Sequence, residues 1–336
     1  MTTPPALRWL LMLLPFALWG TAMAAMKPLL EGTDPLMLAS LRLLPAGPVL
    51  LLAAFALGRP FKVAPADWPW LLVFAAVDGS LFQGLLARGL VETGAGLGSV
   101  LIDSQPLLVA LLARSLFGEA INPVGWLGLL LGLLGILCLG LPADVLRHWW
   151  LEGPVSLGPR PWSHGELWML GAAAAMAVGT VLCRFATRGS DPLVVTGWHM
   201  LLGGLPLLLG AALRPFLFSL HGGTAPIGAA LPFWPAWNAL QWGLMAYASL
   251  LGSALAYGLF FWFASSGDLT GFTALTFLTP VFALLCGLLL LDERLQPLQW
   301  LGAALALGSV LLINRRAQLW QGAAPPPLPA AGGQGR

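Results

Sequence analysis

Four ionisable side chains lie within long apolar stretches of the sequence, where charge is rare. Arg42, Asp78, Asp103 and His199 have mostly aliphatic or aromatic neighbours along the chain. A charge at the centre of a membrane helix costs about 3 kcal/mol on insertion scales, so such residues usually bind substrates or ions, carry protons or pair with one another. These four residues are therefore the first candidates for polar recognition or proton transfer.

Other polar and aromatic residues inside the apolar stretches extend this set. Gln105 and Thr276 lie near Pro106 and Pro280, and a proline within a helix frees a backbone carbonyl and bends the chain. We expect the two prolines to act as helix hinges, with a static kink as the alternative. Aromatic rings that line a cavity can stack on a planar or apolar substrate. The rings predicted for this wall are those of Trp19, Trp198 and Tyr257, with Phe82 beside them. The alternative for each ring is packing in the core or against lipid.

The composition places these residues in a membrane protein. Hydrophobic residues make up 58% of the 336 and charged residues 9%, whereas soluble domains carry about 25% charge. Apolar runs of about 20 residues, which span a bilayer as helices, recur along the chain. We predict an all-α integral membrane protein with ten transmembrane helices. Their ranges are 7–26, 36–57, 68–90, 95–117, 123–141, 166–187, 192–213, 239–263, 269–291 and 297–314.

Several other classes of function lack the residues that they need. The net charge is only +2 and the basic residues are scattered, which excludes a nucleic-acid partner and leaves membrane lipids as the surroundings. The three cysteines Cys138, Cys183 and Cys286 are far apart, without metal-ligand spacing. The sequence contains no HExxH, GxSxG or Walker motif. We therefore expect no enzyme activity, no metal and no cofactor.

The sequence contains two similar halves, and equivalent residues are separated by 157 positions early in each half and by 174 later. Pro123 and Pro297 are 174 residues apart, and nearer the start of each half Asp34-Pro35 and Asp191-Pro192 are 157 residues apart. The separation of 174 also relates Pro106 to Pro280, Glu119 to Glu293, Trp126 to Trp300 and Gly128 to Gly302. We predict two repeats of five helices each. Their predicted ranges are 7–141 and 166–314, with a connecting loop at 142–165 and a disordered cytoplasmic tail at 315–336.

An odd number of helices per repeat fixes how the repeats are related. After five helices the chain emerges on the opposite side of the membrane, so the second repeat must be inverted relative to the first. In inverted-repeat proteins the two halves enclose a site near the midplane, and their rocking exposes it to each side in turn. The repeat thus predicts transport, the alternative being a duplication that only builds a stable bundle.

The distribution of basic residues gives an orientation. With the N-terminus inside, eight basic residues at helix ends lie on the cytoplasmic side and six lie outside. The positive-inside rule therefore favours cytoplasmic N- and C-termini. In this topology Arg42 and Asp103 lie at similar depth. They can form a structural lock between helices or a pair that changes partner when a substrate or a proton arrives.

The repeat separations show whether each charged residue has an ionisable equivalent in the other half. Arg42 is equivalent to His199, whereas Asp78 and Asp103 are equivalent to Gly252 and Phe277. Because the acidic residues occur in one repeat only, a binding or coupling role is favoured over a role in folding. Histidine changes charge near neutral pH and can couple protons to transport. The alternative for His199 is a hydrogen-bonded packing residue.

The ends of the two repeats resemble a known family. Both SQPLLVALLARSLFGEAINPVGWLGLLLGLLGILCL (104–139) and FLTPVFALLCGLLLLDERLQPLQWLGAALALGSVLLI (277–313) have a mid-helix proline, an acidic residue closing the fourth helix and glycines in the fifth. This pattern is similar to the EamA repeat of the drug/metabolite transporter superfamily, over residues 10–315. The resemblance implies a basket-like carrier of ten helices in the inner membrane, with both termini cytoplasmic. Members often export amino acids and other small metabolites.

The acidic residues of this pattern, Glu119 and Glu293, each precede a polar residue and a proline at a helix start. We therefore expect them to interact with helix ends rather than with a substrate.

The sequence as a whole predicts a secondary transporter that exports small metabolites such as amino acids. The substrate gradient or an exchange for protons drives it. Arg42, Asp78 and Asp103 are expected to recognise the polar groups of the substrate. The alternatives are a channel or facilitator, a membrane enzyme acting on lipid-linked substrates, and a sensor or interaction protein that does not transport.

Overall fold

Ten helical segments build the part of the chain that the structure describes. A computed structural model describes residues 4–30, 32–92, 98, 101–140, 164–220, 234–290 and 297–321. The helices of the first repeat are α1 (Pro5–Leu30), α2 (Pro35–Ala56), α3 (Pro65–Glu92), α4 (Gln105–Phe117) and α5 (Pro123–Gly140). Those of the second repeat are α6 (His164–Ala186), α7 (Pro192–Leu220), α8 (Ala239–Ala264), α9 (Leu269–Thr273, Ala274–Leu278 and Thr279–Leu290) and α10 (Pro297–Gln321).

The lengths of these helices confirm the predicted fold class. Seven of them are long and apolar enough to cross a membrane, and α4, α5 and α9 are shorter apolar helices. No strand occurs among the described residues. Ten crossings return the chain to the side from which it started, and we call this side the terminal side.

Two predicted helix ends are corrected. Helix α10 continues through residues 315–321, which the sequence had assigned to the disordered tail. Arg316 explains part of this, since its guanidinium binds Asp268 and the carbonyl oxygen of Ile313 and so fixes the extra turns. Helix α7 likewise extends to Leu220 rather than to residue 213. Most of the predicted loop at 142–165, and the tail beyond residue 321, lie outside the described residues.

The Asp-Pro pairs that mark the repeats begin equivalent helices. The Asp34 carboxylate accepts the amide protons of Leu36 and Met37 at the start of α2. The Asp191 carboxylate accepts the amide proton of Leu193 at the start of α7. An aspartate at the N-cap satisfies otherwise unbonded amides, and the proline that follows needs no amide partner. The matching motifs therefore have the same local function in both repeats.

Helices α5 and α10 are equivalent, and they contact one another reciprocally. A methyl group added at Gly128 would lie 2.6 Å from Cγ1 of Ile313, and one added at Gly302 would lie 2.8 Å from Cγ of Leu139. Gly302 is the equivalent of Gly128, and Ile313 is the equivalent of Leu139. A reciprocal contact of this kind requires the two helices to run antiparallel. Small residues permit such close packing in a membrane.

Helices α2 and α7 show the same relation. A methyl group at Gly47 would lie 2.7 Å from Cγ of Leu201, and one at the equivalent Gly204 would lie 3.0 Å from Cγ of Leu44. Leu44 and Leu201 are themselves equivalent, being 157 residues apart. Equivalent helices thus run antiparallel at two places, which is the geometry of an inverted repeat.

The middle helices of both repeats are interrupted at equivalent positions. Helix α3 contains a π-helical segment at Ala75–Phe82, and α8 contains one at Leu250–Leu255. A turn at 103–104 precedes α4, and a 3₁₀ segment at Ala274–Leu278 divides α9. In both cases the α-helix resumes one residue before Pro106 or Pro280. The structure therefore places a break before each proline, where the sequence predicted a bend.

The contact between α5 and α10 gives the first testable prediction. Gly302→Ala places a methyl group 2.8 Å from the Gly135 carbonyl oxygen and forces the helices apart, which we expect to lower stability by about 1–3 kcal/mol. Gly308→Ala, on the same helix, meets no described atom within 4 Å and should be neutral or stabilising by up to about 1 kcal/mol. Thermal unfolding of both variants in detergent measures the difference. Equal melting temperatures for the two would contradict the reciprocal packing.

Candidate functional site

A cavity of about 240 Å³ lies between the two repeats, on the side away from the terminal side. Both repeats contribute to its wall. The polar residues that line it are Arg42, Asp103, Gln105, Tyr257, Thr276 and Thr279. The apolar wall includes Trp19, Phe82, Met23, Met26, Met176 and Pro280. The cavity therefore combines one basic and one acidic side chain with aromatic rings and methionines.

Arg42 reaches the cavity from α2, and its side chain is mostly buried. Its Nε atom lies 3.4 Å from the Ser253 hydroxyl in the π-helical segment of α8. Its Nη1 atom lies 3.5 Å from the side-chain oxygen of Gln83. Both contacts are long hydrogen bonds to neutral groups, so no carboxylate among the described residues balances the guanidinium charge.

Asp103 lies in the turn that precedes α4, because the helix cannot run through Pro106 without losing a backbone hydrogen bond. The residue is only 5% exposed. No hydrogen bond or ion pair to its carboxylate occurs within the described residues, and the expected pairing with Arg42 is not formed. A buried basic side chain and a buried acidic side chain therefore line one cavity without pairing with each other.

Three further polar atoms of the cavity residues are buried and lack a hydrogen-bond partner among the described residues. They are the indole nitrogen of Trp19, the side-chain oxygen of Gln105 and the hydroxyl of Thr279. The amide nitrogen of Gln105 makes one long contact, 3.5 Å, with the Thr276 hydroxyl. Buried polar atoms in folded proteins almost always form hydrogen bonds, so these three atoms are suited to bond a molecule that enters the cavity.

The aromatic wall differs in one member from the prediction. The rings of Trp19 and Tyr257 lie 4.9 Å apart and both line the cavity, as does Phe82. Trp198 does not line it. Its indole lies 6.1 Å from that of Trp68, in a shallow surface depression near the terminal side, because Trp198 lies in the second turn of α7, which begins on that side.

One hydrogen bond joins equivalent positions of the two repeats. Gln83 of α3 donates its amide proton to the hydroxyl of Tyr257 in α8 at 2.8 Å. These residues are 174 residues apart, the separation of the repeat itself. They therefore lie close to the pseudo-twofold axis, and Tyr257 also lines the cavity. The predicted site contains Tyr257 but not Gln83.

Asp78 and His199 lie outside the cavity wall, although Asp78 was predicted to recognise the polar groups of the substrate. Oδ2 of Asp78 and Nε2 of His199 are 2.9 Å apart, and both side chains are fully buried. The approach is close but is not aligned as a directed hydrogen bond, and neither group has a further partner in the described part of the chain. The structure thus forms an acid-base pair that the sequence did not predict.

On the terminal side, Glu119 ties the two repeats together. Its carboxylate accepts the amide protons of Leu269 and Thr270 at the start of α9, and also the Thr270 hydroxyl proton. Arg184 of α6 approaches the same carboxylate at 3.4 Å and donates to the carbonyl oxygen of Gly267. Glu119 therefore binds a helix end, and that helix belongs to the other repeat. Its equivalent, Glu293, lies outside the described residues.

A second ion pair lies beside this contact. Asp268 accepts the amide proton of Gly271 at the start of α9, and the Arg316 guanidinium donates to both of its carboxylate oxygens. Partial burial raises the pKa of Asp268, but the contact with Arg316 outweighs it and the pKa is lowered. The carboxylate is therefore ionised at neutral pH and holds α10 against the start of α9. We call these two contacts together the terminal-side latch (Glu119, Arg184, Asp268, Arg316).

Some of the predicted site residues line the cavity and others do not. The cavity brings together Arg42, Asp103, Gln105, Trp19, Tyr257 and Thr276. The residues that it does not include are Asp78, His199, Trp198 and Pro106. The methionines of the wall were missed, because a methionine in an apolar helix gives no signal that separates a cavity from ordinary packing. Among the described residues no cluster of three or more possible metal ligands occurs.

Comparisons with known proteins agree with this architecture. The model of the EamA-like transporter family matches residues 7–141 and 163–315. The chain belongs to the EamA-like transporter family. This membership confirms the resemblance of the repeat ends and the fold of ten helices in two repeats. It also makes the chain a multi-pass membrane transporter with a small-molecule substrate.

Individual relatives support the same conclusion. "Uncharacterized transporter sll0355" of Synechocystis sp. is 50% identical over 313 residues, which cover 92% of this chain and 90% of that protein. "WAT1-related protein At3g02690, chloroplastic" of Arabidopsis thaliana is 45% identical, covering 92% of this chain and 69% of that protein. "Uncharacterized inner membrane transporter YedA" of Escherichia coli K12 is 24% identical, covering 89% and 88%. These names indicate a transporter rather than an enzyme.

A solved structure agrees with the fold. A crystal structure superposes with a TM-score of 0.70, covering 95% of this chain and all of that chain, at 19% sequence identity. At this identity the agreement concerns the fold alone.

The terminal-side latch gives a second prediction. Glu119→Gln keeps the size of the side chain but removes its charge, so the bonds to α9 and Arg184 weaken and stability falls by roughly 1.5–3 kcal/mol. The matched control is Glu92→Gln, which removes an exposed pair with Arg88 on one helix and should change stability by less than about 0.5 kcal/mol. Thermal unfolding in detergent compares the two. A Glu119→Gln protein as stable as the control would show that Glu119 does not hold the repeats together.

Proposed function

We propose that the protein is a secondary transporter that exports small zwitterionic metabolites of the amino-acid class by alternating access. The observation that carries this proposal is the cavity between the repeats, where Arg42 and Asp103 are both buried and unpaired within the described residues. Removing charges from water without partners is costly. A ligand with a carboxylate and an ammonium group supplies a partner to each.

The remaining wall suits such a ligand. The guanidinium of Arg42 can bind a carboxylate, and Asp103 with Gln105 can accept protons from an ammonium group. The unbonded Trp19 nitrogen and Thr279 hydroxyl offer further hydrogen bonds. Between these polar groups, Trp19, Tyr257 and the methionines give an apolar surface for a side chain. The proposed substrates are therefore amino acids, or related compounds, with an apolar or aromatic side chain.

The closed terminal side supports alternating access. The cavity is lined by residues towards the opposite side, such as Met26 near the end of α1 and Leu139 near the end of α5. Towards the terminal side, the fully buried rings of Phe16, Phe260 and Phe277 fill the space between the repeats, and the terminal-side latch lies beyond them. This arrangement favours a carrier over a continuous channel. Opening the terminal side requires the latch to break, and the breaks before Pro106 and Pro280 are proposed as hinges.

The direction and the location belong to the same proposal. We propose the inner membrane, with both termini and hence the terminal side in the cytoplasm. The basic residues counted in the sequence and the name of the Escherichia coli relative support this placement. In this orientation the cavity of the described conformation lies towards the outside. An exporter adopts such a conformation when it releases its substrate, and it then returns to the inward-facing conformation. The substrate gradient or an exchange for protons supplies the driving force, and we propose no catalytic step.

The test of this function is untargeted mass spectrometry of the growth medium. Cells expressing the parent protein should accumulate one or more amino acids outside, compared with cells carrying an empty vector. Asp103→Asn and Arg42→Gln carriers at the same membrane level should lose at least about tenfold of this export, since a hydrogen bond to a charged group is worth about 1.5–3 kcal/mol.

The control for these variants is Glu92→Gln, because Glu92 lies outside the cavity and forms an exposed pair with Arg88 on the same helix. Export by this variant should equal that of the parent. Undiminished export by both cavity variants would refute the role of the cavity. A medium identical to that of the empty vector would refute export.

A further inference from the structure

The buried Asp78 and His199 pair joins the two repeats at a place where no substrate reaches. Asp78 lies in α3 of the first repeat and His199 in α7 of the second, 2.9 Å apart. The imidazole is stacked on the ring of Phe74 at 4.0 Å and meets the edge of Phe261 at 5.5 Å. The pair is thus enclosed by apolar rings, and neither of its members lines the cavity.

The number of protons on this pair determines its charge. With one proton the pair is neutral as a whole, whether the proton resides on the carboxylate or on the imidazole. Without that proton a lone carboxylate remains, and with a second proton a lone imidazolium remains. An unpaired charge in an apolar, water-free site is strongly disfavoured. The burial of the pair therefore favours the form with one proton over the other two.

No other described group next to the pair supplies a positive charge that would compensate the Asp78 carboxylate in place of this proton. From α6, Cys183 faces Asp78, and its thiol lies 3.7 Å from the Phe261 carbonyl oxygen. From α8, Tyr257 faces Asp78, and its hydroxyl accepts the bond from Gln83. From α2, Arg42 approaches Tyr257 and Gln83 rather than the pair itself. Among the described residues, His199 is thus the one base in contact with Asp78.

The same helix connects the pair to the cavity. Asp78 lies within the π-helical segment Ala75–Phe82, and such segments often occur at functional sites. Phe82, at the end of the segment, lines the cavity. Gln83, the next residue, contacts both Arg42 and Tyr257. A movement of α3 that follows substrate binding therefore also moves Asp78.

The packing makes the pair sensitive to such a movement. A methyl group added at Gly79 would lie 2.8 Å from the Gly203 Cα atom and 3.0 Å from the His199 carbonyl oxygen. Helices α3 and α7 are thus in direct backbone contact next to the pair. Because the two helices belong to different repeats, rocking of the repeats changes the separation of Asp78 from His199.

We propose that Asp78 and His199 form the proton site of the carrier, which holds one proton in the described conformation and releases it when the repeats move apart. The inference rests on the proposed transport function and adds the coupling ion and its site. A proton held across the repeat interface makes the energy of the conformational change depend on the pH on the side to which the site opens. Transport of substrate is then coupled to movement of protons.

Transport in proteoliposomes tests the coupling. The probe is a ¹³C-labelled mixture of the twenty protein amino acids, and each variant is measured with and without a pH gradient of about one unit, which supports about tenfold accumulation for one proton per molecule. The parent should accumulate at least one amino acid only when the gradient is present. In Asp78→Asn and His199→Gln the ratio of accumulation with the pH gradient to accumulation without it should fall towards one. Cys183→Ala is the matched control and should behave as the parent.

A spectroscopic measurement tests the shared proton without transport. In protein labelled with ¹⁵N-histidine, the His199 signals are identified by their loss in His199→Gln. Their ¹⁵N chemical shifts distinguish protonated from unprotonated ring nitrogens, and the Nε2 shift should differ between the parent and Asp78→Asn at the same pH, because the carboxylate lies against this nitrogen. Equal Nε2 shifts would overturn the shared proton, whatever the transport result.

The outcomes separate the two proposals. A parent that exchanges amino acids but ignores the pH gradient, or an Asp78→Asn variant that keeps its response, overturns the proton site and leaves the proposed function intact. A parent that moves no amino acid refutes the proposed function, and the nitrogen shifts of His199 then still decide whether the pair shares a proton.

Discussion

The close antiparallel contact between equivalent helices is the constraint on which the rest of the structure depends. At Gly128 with Ile313 and at Gly302 with Leu139, the same contact is made twice, once in each direction. Lipid gives apolar helices little reason to associate, so close packing of small residues provides much of the attraction. This contact fixes α5 against α10, while Gly47 and Gly204 fix α2 against α7. The interrupted helices α3, α4, α8 and α9 line the cavity together with α1, α2, α5 and α6.

Within this framework, the charges of the first repeat are distributed in two ways. Asp78 is matched by a base from the second repeat, whereas Arg42 and Asp103 face the cavity without ionic partners among the described residues. The position shared by Arg42 and His199 illustrates the division. Arg42 faces Ser253 of α8, and its equivalent His199 lies beside Gly79, the equivalent of Ser253 in α3. One copy of this position faces the cavity, and the other faces a buried acid.

Much of the fold followed from spacing. The repeat separations predicted the two five-helix repeats, and Pro106 and Pro280 indicated where α4 and α9 are interrupted. The π-helical segments were not predicted, because the Gly-Ser pair that each contains (Gly79-Ser80 and Gly252-Ser253) also occurs in the regular helix α10, at Gly308-Ser309. The pairing of Asp78 with His199 was not predicted either, because the repeat separation relates equivalent residues and these two are not equivalent. Trp198 was misplaced because an aromatic residue in an apolar helix does not reveal which face is buried.

Counterflow in proteoliposomes tests most directly whether a site between the repeats is exposed to the two sides in turn. Vesicles preloaded with unlabelled amino acids are diluted into a trace of the ¹³C-labelled mixture, with no pH gradient. The account predicts that label rises above its equilibrium level in parent vesicles and then falls, because outward movement of unlabelled substrate returns the site to the outside. Label that enters at a rate proportional to its concentration, unaffected by the internal amino acids, would contradict a carrier and indicate a channel.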